Sequence, residues 1–231
     1  MTDTHTYEEV CAASCDYFNG DQLAAEVFAG KYALRNENNE LIELTPDQMH
    51  RRLAREFARV EAKYPSPMGE DEIYGLLSDW SVVPQGSPMS GIGNEAQLQS
   101  LSNCFVIESP YDSYGGILKV DQEQAQIMKR RGGVGFDIST IRPQGLPTKN
   151  AAKTTDGLAA FMERFSNTCR EVAQNGRRGA LMLTLSVHHP EVRTFINIKR
   201  DLKKVTGANI SLRLSDEFME AVRDRKKVQL R

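Results

Sequence analysis

Leu101-Ser102-Asn103-Cys104-Phe105-Val106-Ile107 opens the stretch that decides the fold, and Lys129-Arg130-Arg131-Gly132-Gly133-Val134-Gly135-Phe136 closes it. The first segment reads as a short apolar strand with a cysteine at its start. The second reads as the end of a helix, a glycine turn and a second strand. A helix over 114–130 joins them, after the polar turn Ser109-Pro110-Tyr111-Asp112-Ser113. Strand, helix and strand in that order are the unit of parallel α/β construction.

Toward the C-terminus the alternation continues. A strand is expected over 134–138, followed by the loop Arg142-Pro143-Gln144-Gly145-Leu146-Pro147, polar and basic out to Lys149. A helix over 156–174 carries an apolar stripe at Leu158, Phe161, Met162, Phe165, Cys169 and Val172, and Asn175-Gly176 is a suitable C-cap. Strands over 180–187 and 208–214 flank a helix over 190–199, and a short helix over 215–225 leads into a charged tail.

Toward the N-terminus the pattern turns helical. Residues 1–30 read as a helical lead-in with one apolar face at Tyr7, Val10, Cys11, Cys15 and Phe18. Two short extended pieces flank the polar turn Asn36-Glu37-Asn38-Asn39. Thr45-Pro46-Asp47-Gln48 starts a helix with a capping residue, a proline in the first turn and a capping-box glutamine. Met49, Leu53, Phe57 and Val60 form its stripe, and Pro65 and Pro67 end it. A helix over 70–79 precedes a turn-rich loop over 83–91. The expected fold is α/β: a mainly helical N-terminal region over 1–82, then an incomplete α/β portion over 83–231. Four or five parallel strands leave edges and a face to be covered, so the chain reads as part of something larger.

Composition sets the outer limits. The 231 residues are 40% hydrophobic and 26% charged, with a net charge of −2. That is ordinary for a globular protein, and it argues against a nucleic-acid surface or a membrane patch. No apolar run is long enough to span a bilayer. Met1-Thr2-Asp3-Thr4-His5 lacks the features of a secretion signal, so a cytoplasmic location is expected. Cys11, Cys15, Cys104 and Cys169 are too scattered for a disulfide framework.

Singly, the candidate motifs are weak. Cys11 and Cys15 share a helix face and read as packed thiols rather than a metal pair. Gly132-Gly133-Val134-Gly135 admits two readings, a tight turn with Gly132 as C-cap or a close backbone approach to an anion. It is neither a dinucleotide fingerprint nor a Walker loop, because its order is helix, glycines, strand. A lone cysteine on an apolar strand is usually core, but Cys104 stands at the strand's polar start. Asn175-Gly176-Arg177-Arg178-Gly179 is either an exposed loop or a phosphate or subunit contact. His188-His189-Pro190 has no ligand partners nearby, so helix capping by His189 is expected and no metal site.

In order, the motifs say more. Gly86-Ser87-Pro88-Met89-Ser90-Gly91, Leu101-Ser102-Asn103-Cys104, Asp112-Ser113, Arg131-Gly132-Gly133-Val134-Gly135-Phe136-Asp137-Ile138-Ser139-Thr140-Ile141-Arg142 and Asn175-Gly176-Arg177-Arg178-Gly179-Ala180 follow one another as in the large catalytic chain of ribonucleotide reductases. From about residue 25 onward the chain resembles the N-terminal part of that family, and most of all its adenosylcobalamin-dependent class.

The resemblance implies the first half of a ten-stranded α/β barrel and reduction of ribonucleotides to 2′-deoxyribonucleotides by radical chemistry. It implies that Cys104 is the first of two reducing thiols and that Ser87, Asn103 and Gly133 line the substrate. Asn103 stands where serine or alanine is usual. Asp112, Ser113, Tyr114, Arg142 and Lys149 match the site for deoxynucleotide or ATP effectors, at a dimer interface. Residues 200–207 match the loop that carries the effector's message to the substrate. An ATP-cone is not expected.

The departures are equally specific. The Asn-x-Cys-x-Glu loop of the radical cysteine is missing, as are the second reducing cysteine and the C-terminal pair. The expected role is therefore one component of a split reductase, inactive without a second chain that carries the radical loop and holds most of the adenosylcobalamin. A thioredoxin-like reductant would serve the complex. The alternatives are a non-catalytic nucleotide-binding subunit and a piece of a longer enzyme.

Overall fold

A computed structural model describes residues 3–172 and 179–231. The chain divides into two compact units, 1–103 and 104–231. Residues 83–103, grouped above with the α/β portion, belong to the first unit. Arg52 draws them in, donating to the carbonyls of Met89 and Ile92 while its guanidinium pairs with the buried Glu43.

The first unit is helical: α1 Tyr7–Tyr17, α2 Gln22–Lys31, α3 Pro46–Glu61, α4 Glu70–Ser78 and α5 Gly86–Gly91. Thr6 and Glu9 close a capping box at α1. The box expected at α3 does not form, because Gln48 turns its side-chain oxygen back to the Leu44 N–H and leaves Thr45 without a side-chain cap bond. The α1 face is completed by Ser14, whose hydroxyl donates to the Leu44 carbonyl; Tyr7 stays exposed. Between α2 and α3 the two extended pieces reduce to isolated antiparallel bridges, Arg35 and His5 both meeting Leu41. Val10, Phe28, Leu53 and Leu77 anchor the core. The turn-rich loop contains a helix, α5, since Pro88 sits within its first turn, where a missing N–H costs nothing.

The second unit is a four-stranded parallel sheet in the order β1-β2-β3-β4, formed by Cys104–Val106, Gly133–Asp137, Leu181–Ser186 and Asn209–Arg213. Helices α6 Tyr114–Met128, α7 Leu158–Glu171 and α8 Val192–Asn197 connect successive strands; a 3-10 turn, Ile198–Arg200, follows α8, and α9 Asp216–Arg223 follows β4. Sequential strand order without reversal is the progression of a barrel rather than of a doubly wound sheet.

Alternation along the strands sorts the two faces. Val134, Phe136, Leu181, Leu183 and Leu185 point into the helix-covered core, where Phe136 meets Phe165 edge-on at 4.9 Å. Cys104, Val106, Met182, Asn209 and Arg213 lie on the other face and are exposed. Val106 is 91% exposed, which an apolar strand residue tolerates only on a face meant to be covered.

Candidate functional site

Cys104 and Gly133 are register partners at the N-terminal ends of β1 and β2, followed by Val106 opposite Gly135. Cys104 is exposed, and with Gly133, Met182, Thr184, Asn209 and Arg213 it lines an open depression of about 440 Å³ on the uncovered face. The far end of that face is polar. The Asp137 carboxylate accepts from the Ser139 N–H at 2.8 Å and the Thr184 hydroxyl at 3.0 Å, and pairs with Arg213 at 3.2 Å. Cys169 belongs to the opposite, helix-covered core, and burial raises its thiol pKa. It faces away from Cys104 and is no partner for it.

The glycine turn differs from the C-cap reading. The left-handed residue is Arg131, at φ 70°, and not Gly132. Glycine is needed at 132 for space: a Cβ there would stand 2.6 Å from Ile127 Cγ2 and 2.8 Å from Phe105 Cε2. The turn thus presses against the strand that carries Cys104.

In the first unit, Ser87 and Asn103 come together. The Asn103 side-chain oxygen accepts from the Ser87 N–H at 3.1 Å and from its hydroxyl at 2.7 Å, while Asn103 Nδ2 donates to Gln85 at 2.5 Å. Ser87 is buried, so its hydroxyl serves this turn. A serine at 103 would be too short to bridge Gln85 and Ser87, which gives asparagine a structural reason there.

All five expected effector residues line one pocket at the C-terminal ends of β1 and β2, about 720 Å³ in volume. Ser113 caps α6, accepting from the Gly116 N–H at 3.0 Å, and a side chain at Gly116 would collide with the Tyr111 backbone. The N-terminus of a 15-residue helix therefore opens beside the pocket, and its dipole favours an anion. Arg142 donates through Nε to Asp112 at 2.5 Å and through Nη1 to the Pro147 carbonyl at 2.6 Å. Its guanidinium is thus held by protein acceptors rather than directed outward. Lys149 is exposed at the rim. The loop bearing both is folded on itself, with Pro147 and Thr154 bridging and Gly145 donating to the Thr155 carbonyl at 3.0 Å.

Sequence reasoning missed other pocket residues. Phe161 reads as one more member of the α7 stripe, yet it lines the pocket and meets Tyr114 edge-on at 5.9 Å. Thr148, Asn150 and Thr155 also line it; their hydroxyl and amide content was the available signal. The helix cap expected at His189 does not form: α8 begins at Val192 with Glu191 as its N-cap and no side-chain cap bond, and His189 Nδ1 accepts from the Glu191 N–H instead. No group of three or more metal-binding side chains occurs among the described residues. The Asn175-Gly176 cap and the Arg177-Arg178 turn lie outside the described residues. The 200–207 loop is anchored at its end, where Val205 and Gly207 donate to Glu163 and Ser166 of α7.

Comparison with known proteins gives these features a common origin. The family model "Ribonucleotide reductase, all-alpha domain" matches residues 18–97, and "Ribonucleotide reductase, barrel domain" matches 102–231. A vitamin B12-dependent ribonucleoside-diphosphate reductase of Mycobacterium tuberculosis is 28% identical over 204 residues, covering 86% of this chain and 29% of its own. The enzyme of that name from Thermoplasma acidophilum is 28% identical over 257 residues, covering 85% of this chain and 33% of its own. The ribonucleoside-diphosphate reductase large chain 2 of Saccharomyces cerevisiae is 34% identical over 130 residues, covering 54% of this chain and 15% of its own. The chain spans about a third or less of the length of these relatives. With one model over the helical unit and another over the parallel sheet, both in the order found here, the chain belongs to the ribonucleotide reductase large-chain family.

Proposed function

We propose that this chain is a component of a ribonucleotide reductase and supplies Cys104 as one of its two reducing thiols. The observation that carries the proposal is the placement of Cys104, exposed on the uncovered sheet face and in register with Gly133. Two thiols oxidised to a disulfide release two electrons and two protons. These replace the 2′-hydroxyl of a ribonucleotide, which leaves as water. A strand start is a rigid mount for a thiol that must meet a second one in bonding geometry. Gly133, beside the thiol, offers its backbone to the nucleotide. In this reading the second thiol and the radical cysteine come from a second chain, and a thioredoxin-like reductant returns the disulfide to two thiols.

Adenosylcobalamin, when bound, supplies the one-electron chemistry that starts the reaction. Three of the four histidines are not free to bind its cobalt. His188 and His189 are engaged with Ser215 and the Ile141 carbonyl, and His50 is buried against Trp80. The cofactor is therefore assigned mainly to the partner chain. The pocket at Asp112, Ser113, Tyr114, Arg142 and Lys149 holds a deoxynucleotide or ATP effector, and the chain dimerises around it.

The test is reconstitution. This chain is mixed with the chain carrying the radical loop, adenosylcobalamin, ribonucleotide and a dithiol reductant, and deoxynucleotide is measured. Cys104→Ser removes turnover; full turnover in that variant refutes the role of Cys104. A second reading, a regulatory nucleotide-binding subunit, is favoured by the gathering of Asp112, Ser113, Tyr114, Arg142 and Lys149 around one pocket. Full activity of the partner alone, with effector binding retained here, selects it.

A further inference from the structure

We infer that Glu191, with His189, is a positioning residue for the effector pocket: its carboxylate closes the base of the loop that carries Arg142 and Lys149. The inference rests on the reading of that pocket as a nucleotide site. Glu191 Oε2 accepts from the Gln144 N–H at 3.1 Å and from the Leu158 N–H at 2.9 Å. Gln144 lies two residues beyond Arg142, and Leu158 opens α7. One oxygen thus gathers both ends of the 144–157 excursion. An ionised acceptor makes such bonds short and strong, and a carboxylate at the start of a helix also complements its dipole.

Two further features hold the clasp. His189 Nδ1 accepts from the Glu191 N–H at 3.1 Å, so its Nε2 carries the hydrogen and donates to the Ile141 carbonyl at 2.8 Å. The imidazole is buried and held at both ring nitrogens. Gly157 sits at φ 82°, and a Cβ there would stand 2.9 Å from the Gln144 backbone. The two ends of the excursion therefore touch at Gln144 and Gly157, and the turn at 189–191 hydrogen-bonds to Ile141, Gln144 and Leu158. None of these groups lines the pocket; they shape the residues that do. Pre-forming the loop removes an ordering cost that a nucleotide would otherwise meet on binding.

Hydrogen exchange on the ligand-free full chain, and titration with dATP, test it together. In Glu191→Ala the Gln144 and Leu158 amides exchange faster, and the dATP Kd rises about tenfold as binding must order the loop. Glu191→Gln keeps an acceptor oxygen and falls between. Leu212→Ala, a truncation in β4 away from the loop, lowers the melting temperature and leaves the dATP Kd in place, which separates positioning from general destabilisation. Unchanged exchange at Gln144 and Leu158 in Glu191→Ala overturns the inference, as does altered exchange with an unaltered Kd. Absence of dATP binding by the wild-type chain refutes the nucleotide reading instead; the exchange result then decides the clasp by itself.

Discussion

Gly207→Ala adds one methyl group where the 200–207 loop lies directly on α7. The new Cβ would overlap the Ser166 carbonyl oxygen and stand 3.0 Å from Arg170 Cγ and 3.2 Å from Ser166 Oγ. The carbonyl is helix backbone and cannot rotate away, so the loop must lift. Overpacking of this kind costs about 1–3 kcal/mol. Lifting also breaks the Gly207 N–H bond to Ser166 Oγ, 2.9 Å long, and such a bond is worth about 0.5–1.5 kcal/mol. Restricting the unfolded chain returns about 0.4–1 kcal/mol. The net loss is about 2–3 kcal/mol. Gly145→Ala is the comparison: at φ 81° it strains the backbone but meets nothing within 4 Å, so its cost is about 1–2 kcal/mol. Urea unfolding followed by circular dichroism gives both values. The single tryptophan, Trp80, lies in the other unit and would not report on this one. A loss at Gly207 no larger than at Gly145 refutes the steric account and the anchoring of the loop on α7.

Two further outcomes follow from charge. Arg142→Ala leaves the Asp112 carboxylate in the pocket without its guanidinium partner; dATP affinity falls at least about tenfold, and unchanged affinity in titration removes Arg142 from the site. His50 is buried beside Trp80, and that burial lowers its pKa, with Asp47 and Glu43 opposing. The unfolded state therefore binds the proton more readily, and stability contributed by the neutral ring is present above the unfolded value of about 6.5 and lost as pH falls below it. Melting curves between neutral and acid pH show a steeper decline for the wild type than for His50→Gln; parallel curves contradict it.

The elements that sequence periodicity could reach were those with a wide apolar stripe or a β-branched run. Helices α3, α6 and α7 and all four strands lie within a few residues of their expected places, because a buried face repeats at 3.6 or 2 residues wherever it occurs. Gln48 and α5 were not legible. A capping box and a competing N–H at Leu44 look alike in sequence, and six residues rich in Gly, Ser and Pro show no periodicity. Glu191 was invisible for a different reason. Its partners lie 47 and 33 residues away, and nothing in a sequence marks which carboxylate will meet a distant backbone amide.

The two candidate sites lie at opposite ends of the same strands, and that placement carries the functional argument. Ligands of parallel α/β sheets usually bind beyond the carboxyl ends of the strands. The effector pocket obeys that rule, built on the loops after β1 and β2 and on the start of α6. Cys104 and Gly133 break it, standing at the amino ends. Helix α6 joins the two: Ser113 caps it at the pocket, and the turn that follows its C-terminal end brings Gly132 against Phe105, the neighbour of Cys104. Fifteen residues of helix span about 22 Å. Among the described residues helices cover only one face of the sheet, so the Cys104 thiol at the amino end is open on the other face, while the pocket at Asp112 lies at the carboxyl ends of the strands. On the proposed reading, an effector in that pocket and a reducing Cys104 would therefore not compete for space. Among the described residues the two sites share no lining residue, and α6 is the element that reaches from one to the other.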